Sequence, residues 1–466
     1  MGVPLIQNQN ENWAAIEFKN ANIGDKRLNE RLVMIASAFA NAPTGSIPQA
    51  CGSWNTSKAT YRFFDNKKVE DKKIMQTHIS ATEKRLQHLP EKTTVLAIQD
   101  TTQLDFTRHP ATGGLGVLSD PFHHGLFYHP TLLLTTDKVP LGIIDQQVWK
   151  RSEEDFGKKY DRKNLPVCEK ESQKWLNSLE KTAQIQQKMP HLRIVNVGDR
   201  EADVFDLFHL AYSSEVDILV RAAWNRCVDH PEKYLWDHME TLPVSGQVSI
   251  TVPRKKGQPK REATLAIRYD KISLKPPRHR RQEKGIKPLT LWAVWALETD
   301  PPDGVEPISW MLLTTIPVTS FDDALEKVQW YTCRWQIEIF FKILKSGCRI
   351  EDRQLQTGER IQRCLALDAI IAWRVLFLTM VPRNIPNMPC DVLLEIEEWQ
   401  SLYCFINKTK NPPSKPPTLS EAVRMIAKLG GFLGRKHDGY PGPMVIWRGL
   451  QRLSDIAAIW ALSRSP

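Results

Sequence analysis

Two stretches decide the reading of this chain: Val95-Leu96-Ala97-Ile98-Gln99-Asp100 and Leu192-Arg193-Ile194-Val195-Asn196-Val197-Gly198-Asp199. Each is a short apolar run that closes on a carboxylate. Such runs predict buried strands. Between and after them lie a hairpin pattern over 130–149, helical composition over 169–188 and 201–212, and a further strand, Asp217-Ile218-Leu219-Val220-Arg221. In the hairpin, Leu132-Leu133-Leu134 and Leu141-Gly142-Ile143-Ile144 flank the turn Thr136-Asp137-Lys138-Val139-Pro140. The order strand, hairpin, helix, strand, helix, strand predicts an α/β sheet of mixed direction with helical covers.

Working outward, residues 11–72 read as short helices around a polar turn, with basic residues and hydroxyls suited either to phosphate contact or to a solvated bundle. Residues 226–309 break the α/β rhythm with alternating strands. These are joined by cationic loops, Arg254-Lys255-Lys256-Gly257-Gln258-Pro259-Lys260-Arg261 and Lys275-Pro276-Pro277-Arg278-His279-Arg280-Arg281. The loops are phosphate-tracking tips or solvated hairpin ends, and two on one small unit favour the former. A long helix is expected over 322–346 and an apolar one over 365–381. Pro382, Pro386 and Pro389 then mark a boundary before a helical tail, in which Thr418-Leu419-Ser420-Glu421 is a capping box and Gly430-Gly431 a stop. The expected division is 1–72 (helical), 73–225 (first part of the α/β core), 226–309 (β-rich insertion), 310–381 (second part of the core) and 382–466 (helical, a dimer surface or a stabilising bundle).

The chain has 466 residues, enough for about three domains. Its 63 Lys+Arg against 53 Asp+Glu give a formal charge of +10, which points towards a polyanionic partner. With 41% hydrophobic and 25% charged residues, disordered and fibrous classes are excluded. The eight cysteines have no C-x-x-C spacing, so neither a zinc site nor a disulfide framework is indicated. No export signal is read at the N-terminus. Asp368 and Arg374 interrupt the run 365–381, which is therefore expected to be a buried helix of a cytoplasmic protein without a membrane span.

Asp100 and Asp199 follow strongly apolar strands, and if those strands are neighbours, both carboxylates can face one metal site built of hard oxygen ligands. For Asp199 the competing role is a cap on the helix that follows. A third element is Tyr331, Arg334, Glu338 and Lys345. On one continuous helix at about 100° per residue, these four share a sector of about 60°. A stripe of one carboxylate, two cations and a phenol suits gripping phosphate beside a metal. An exposed face with an i,i+4 pair, Arg334 with Glu338, is the bland alternative.

In these residues the chain resembles the DDE transposases of bacterial insertion sequences, in the branch with the Y-R-E-K signature, and is similar to the insertion-sequence-four family and the transposon-five transposase. The matching segments are Gly24-Asp25-Lys26-Arg27-Leu28-Asn29, Tyr61-Arg62-Phe63, Asp100-Thr101-Thr102, Lys170-Glu171-Ser172-Gln173-Lys174-Trp175, Gly198-Asp199-Arg200-Glu201-Ala202-Asp203, Trp310-x-Leu312-Leu313-Thr314 and the residues from Tyr331 to Lys345. The resemblance implies an RNase H-like mixed-sheet core interrupted by a β-rich insertion, with helical N-terminal and C-terminal domains. It implies Asp100, Asp199 and Glu338 as the catalytic, metal-binding triad for two Mg²⁺ (or Mn²⁺) ions. Tyr331, Arg334 and Lys345 would hold DNA phosphates, with Arg62, Arg200, Arg254, Lys255, Lys256, Lys260 and Arg261 as further DNA contacts. Trp310 would receive a flipped base.

The activity so implied is cut-and-paste transposition: 3′-end nicking, hairpin formation and hydrolysis, then strand transfer. Its partners would be double-stranded DNA at terminal inverted repeats, target DNA and a second copy of the chain in a synaptic complex. A catalytically silent DNA-binding regulator is the alternative of a different class. A simple metal-dependent nuclease is a third, but it leaves the helical ends without a purpose.

Overall fold

The computed structural model describes residues 12–152, 154, 169–252, 259–280 and 286–464. Two compact units emerge: a terminal unit of Met1–Thr93, Thr101–Lys159 and Gln336–Pro466, and a central unit of Thr94–Asp100 and Tyr160–Trp335. Among the described residues the chain passes between them after Thr93, after Asp100 and after Trp335. In chain order the strands are β1 (Thr94–Gln99), β2 (Thr102–Asp105), β3 (Gly116–Val117), β4 (His124–Thr135), β5 (Pro140–Trp149), β6 (Arg193–Gly198), β7 (Asp217–Arg221), β8 (Gly246–Val252), β9 (Arg261–Leu274), β10 (Leu289–Glu298) and β11 (Ser309–Thr314).

In the central unit the strands run β1-β6-β7-β11-β10-β9-β8. The first three are mutually parallel and the remaining pairs antiparallel. The expected mixed sheet is present, and β8–β10 of the 226–309 segment continue it through β11 without a break. Helices Gln173–Lys188 and Phe205–Ser214 cover the parallel strands, burying Trp175, Leu179 and Phe208 against Ile218, Val220 and Leu313. The predicted helix over 201–212 starts later, at Phe205, because Arg200–Ala202 forms a separate 3₁₀ turn.

In the terminal unit β4 and β5 form the expected hairpin, with Lys138 in the left-handed region (φ 67°) at the turn. The unit is organised by the helix Gly358–Asn384. By length and composition that helix could cross a membrane, yet its apolar window is wholly buried. It contacts helices from both ends of the chain: Lys26–Asn41, Trp54–Asp65 and Asp71–Gln87 from one, Leu419–Leu429 and Pro443–Arg464 from the other. A helix apolar all round finds partners on every side. Asp368 within it is buried and receives two hydrogen bonds from Arg353, each of 2.9 Å, while Arg353 also donates to the Gly45 carbonyl (2.8 Å). Arg374 lies over the Trp13 ring at 4.7 Å. Pro382, expected to mark a boundary, instead lies inside this helix near its end, where only one late hydrogen bond is lost.

The long helix expected over 322–346 is corrected to three pieces. Phe321–Thr332 ends at Cys333, Trp335–Lys342 follows a turn, and Ile343–Gly347 is a π-helical turn. The Cys333 and Arg334 N–H groups bond to the Trp330 and Tyr331 carbonyls, i to i−3, and the Cys348 N–H reaches back to Ile343, i to i−5. Both changes break the uniform step of about 100° per residue on which a single stripe from Tyr331 to Lys345 was reckoned.

Candidate active site

The register of the parallel strands builds the site. Ile98 on β1 pairs with Val197 on β6, so Asp100 and Asp199, each two residues further on, leave neighbouring strands at the same level. Gly198 pairs with Val220 on β7, which brings Arg221 to that level too. Three adjacent strands therefore deliver two carboxylates and a guanidinium at their carboxyl ends, the end where open parallel sheets hold ligands.

Arg334 Nη1 donates to Asp100 Oδ2 at 2.8 Å, with both side chains largely buried. Asp199 Oδ1 accepts the Glu201 N–H at 2.8 Å, so the capping role does occur, on the 3₁₀ turn. Burial pushes the Asp199 carboxyl above its ordinary value, against the pull of the Glu201 N–H and the positive charges of Arg334 and Lys174. Lys174 ion-pairs with Glu201 at 3.1 Å. Gly198 is required by space, since a Cβ there would lie 2.4 Å from that of Ala202.

Tyr331 is buried, and burial raises its pKa although Arg334 and Arg221 oppose the rise, so it is a neutral phenol near pH 7. It bonds Arg221, whose own pKa burial lowers, and Trp310 packs edge-on to it with ring centroids 5.2 Å apart. Arg200 is exposed on the 3₁₀ turn. Arg221 and Lys174 were not singled out for a role in the sequence. Their signals were position at the end of a parallel strand and the spacing to the Asp199 segment.

Glu338 and Lys345 belong to the terminal unit. Glu338 is exposed on Trp335–Lys342, and Lys345 contacts the Gln103 carbonyl and pairs with Glu351 at 3.2 Å. Arg62 is exposed near the end of Trp54–Asp65. Among the basic-loop residues Lys260 is exposed, but Arg261 is paired with Glu298, Arg280 with Asp206 and Lys275 with Asp229 (2.9 Å). Arg254, Lys255 and Lys256 lie outside the described residues.

Two carboxylates at one level, of hard-oxygen character and with burial working against the charge of Asp199, fit a divalent cation of the Mg²⁺ type. The guanidinium and ammonium groups beside them fit a polyanionic substrate.

Family comparison bears on the same architecture. A model for transposase DNA-binding matches residues 10–69, one for the transposase DDE domain matches 237–373, and one for the transposase Tn5 dimerisation domain matches 370–465. They lie in chain order and together take in more than half of the sequence. The chain belongs to the Tn5-type DDE transposases. Its mixed α/β sheet with helical ends is the RNase H-like arrangement of that class, and it carries a DNA-binding and a dimerisation domain. The DDE match contains Glu338 but begins after Asp100 and Asp199.

Proposed function

We propose that this transposase excises and inserts an insertion sequence by phosphoryl transfer at its terminal inverted repeats, with Asp100, Asp199 and Glu338 as the catalytic carboxylates. The observation that carries the reading is the common level of Asp100 and Asp199 on adjacent parallel strands, with Arg334 bound to the first. Glu338 joins them through the Y-R-E-K resemblance, four positions after Arg334. These three residues would hold two Mg²⁺ or Mn²⁺ ions. When bound, such ions lower the pKa of an attacking water or 3′-hydroxyl and stabilise the leaving oxygen.

The protein's own groups position the DNA. Arg334, Arg221 and Tyr331 converge at the carboxyl ends of the strands, where cations and a neutral phenol can hold phosphate oxygens in line for attack. Lys345 is assigned to the same backbone, as is Arg200. Trp310, half-buried against Tyr331, would stack a base taken out of the duplex during hairpin formation. Arg62 and Lys260 extend the phosphate track together with Arg254, Lys255 and Lys256, whereas Arg261 is committed to Glu298 and contributes less.

The five-part division 1–72, 73–225, 226–309, 310–381 and 382–466 assigns end recognition to the first part and pairing of two copies to the last. Ile459 and Leu462, 69% and 77% exposed within the dimerisation match, offer apolar area for that pairing.

The test is incubation of the protein with a labelled inverted-repeat end and Mg²⁺. Nicking, a hairpin and joined products are expected. Asp100→Asn, Asp199→Asn and Glu338→Gln should each abolish nicking while retaining end binding. End binding by the wild type with no nick at any concentration would establish the silent DNA-binding regulator instead.

A further inference from the structure

Within the segment 226–309 the described residues bring together a second group of ligand-type side chains: His230, Glu232 and His238, whose donor atoms all lie within 4.8 Å of one another. The local chain explains the cluster. A turn closed by the Lys233 N–H on the His230 carbonyl (2.9 Å) has Pro231 fixing its first bend and Lys233 in the left-handed region (φ 65°). His230 and Glu232 therefore stand two residues apart on one tight turn, with Nδ1 of the histidine in contact with the carboxylate. The short helix Leu235–Thr241 follows at once and returns His238 to the turn, its ring centroid 3.9 Å from that of His230.

His238 is the informative member. It is 3% exposed, and its Nε2 lies 2.8 Å from Asp270 Oδ2 on β9. A carboxylate only accepts, so Nε2 carries the proton, and a neutral ring then presents its lone pair at Nδ1. That Nδ1 is buried without a hydrogen-bond partner in the structure. A buried nitrogen without a partner, on a ring beside a second imidazole and a carboxylate and with its far nitrogen fixed by another carboxylate, is the carboxylate–histidine arrangement that orients metal ligands.

We propose that His230, Glu232 and His238 form a zinc-class binding site, completed by water and oriented by Asp270. Two imidazole nitrogens and one carboxylate oxygen are borderline ligands that favour Zn²⁺, whereas Mg²⁺ prefers an all-oxygen shell. The site is therefore chemically different from the Asp100 and Asp199 pair. A bound ion would clip the 230–233 turn to the helix that follows it and, through Asp270, to β9, fixing the start of the β-rich segment. Asp270 is a positioning residue, since it acts through His238.

Equilibrium dialysis of the full chain against Zn²⁺, with metal analysis and calorimetric titration, tests the proposal. One ion per chain is expected, with a rise in melting temperature. His230→Ala and Glu232→Gln, at partly exposed positions that leave the fold intact, should each lower affinity at least about tenfold, as should His238→Ala. Asp270→Ala should lower it by about 10- to 100-fold while keeping the stoichiometry. Cobalt(II) in the same site should give the intense visible bands of a four-coordinate centre, lost in His230→Ala. A wild type that binds no zinc, or a His230→Ala/Glu232→Gln variant that binds as much and as tightly as wild type, overturns the proposal.

Discussion

At the scale of single residues, the arrangement turns on groups that do two things at once. Arg334 neutralises Asp100 and, in the proposed function, also meets phosphate. Arg334→Ala should lower affinity for an inverted-repeat end and reduce the slope of log K against log salt by about one, as expected for loss of a single phosphate contact. An unchanged slope would make Arg334 a partner of Asp100 alone. Gly198 is decided by space: in Gly198→Ala the new methyl would meet Ala202, with the Trp175 ring 3.4 Å away, so the turn carrying Asp199 must shift. Overpacking of this kind costs about 1–3 kcal/mol. Chemical denaturation should show that loss, and nicking should fall more steeply than end binding because Asp199 is the next residue.

At the scale of elements, the tail is set by close approach of two helices. A Cβ on Gly430 would lie 1.9 Å from the Val445 carbonyl oxygen, and one on Gly449 the same distance from that of Ile426. Gly430→Ala or Gly449→Ala must therefore separate Leu419–Leu429 from Pro443–Arg464. Each should destabilise the protein by about 1–3 kcal/mol and weaken self-association, read by denaturation and sedimentation. The cap on the first of these helices was legible beforehand: Thr418 and Glu421 form the reciprocal bonds of the capping box. So were β1, β6, β7 and the β4–β5 hairpin, because buried apolar runs bounded by turns carry their own signal. The level of Asp100 with Asp199 followed once β1 and β6 paired in parallel. What could not be read was the break at Cys333–Arg334 and the π-turn at Ile343–Gly347. Composition there is uniformly helical, and the break accompanies contacts far apart in sequence, above all Arg334 with Asp100. Arg221 was hidden for the same reason, since only the neighbouring strand shows what it stands beside.

At the scale of the whole molecule, the charge of +10 reads differently once partners are assigned. Arg261, Lys275 and Arg280 are occupied by Glu298, Asp229 and Asp206, so net charge overstates the cations available to DNA. Lys260→Gln should accordingly weaken binding more than Arg261→Gln, measured on one duplex at two salt concentrations. Stability depends on charges of another kind, buried in the terminal unit. Glu17 accepts from His78 Nδ1 (2.5 Å) and from Arg85 (2.8 Å), while His78 Nε2 accepts the Ile143 N–H (2.9 Å). The ring is thus neutral, donating at one nitrogen and accepting at the other. Burial pushes the Glu17 carboxyl up, but Arg85 and His78 outweigh it and hold it at about 2, while burial holds His78 below its ordinary value. Both shifts are downward, so the unfolded chain binds more protons and stability falls as pH falls. The His78 contribution begins to be lost below pH 6.5. That of Glu17, about 3 kcal/mol, is present above pH 4.5 and disappears between there and pH 2. Glu17→Gln should cost about 3–5 kcal/mol at neutral pH by leaving the largely buried Arg85 without its counter-charge, and should flatten the decline between pH 4.5 and 2. Urea denaturation of both proteins across pH 7 to 3 measures the two effects together. Parallel curves would show that acid acts on the molecule through other carboxylates.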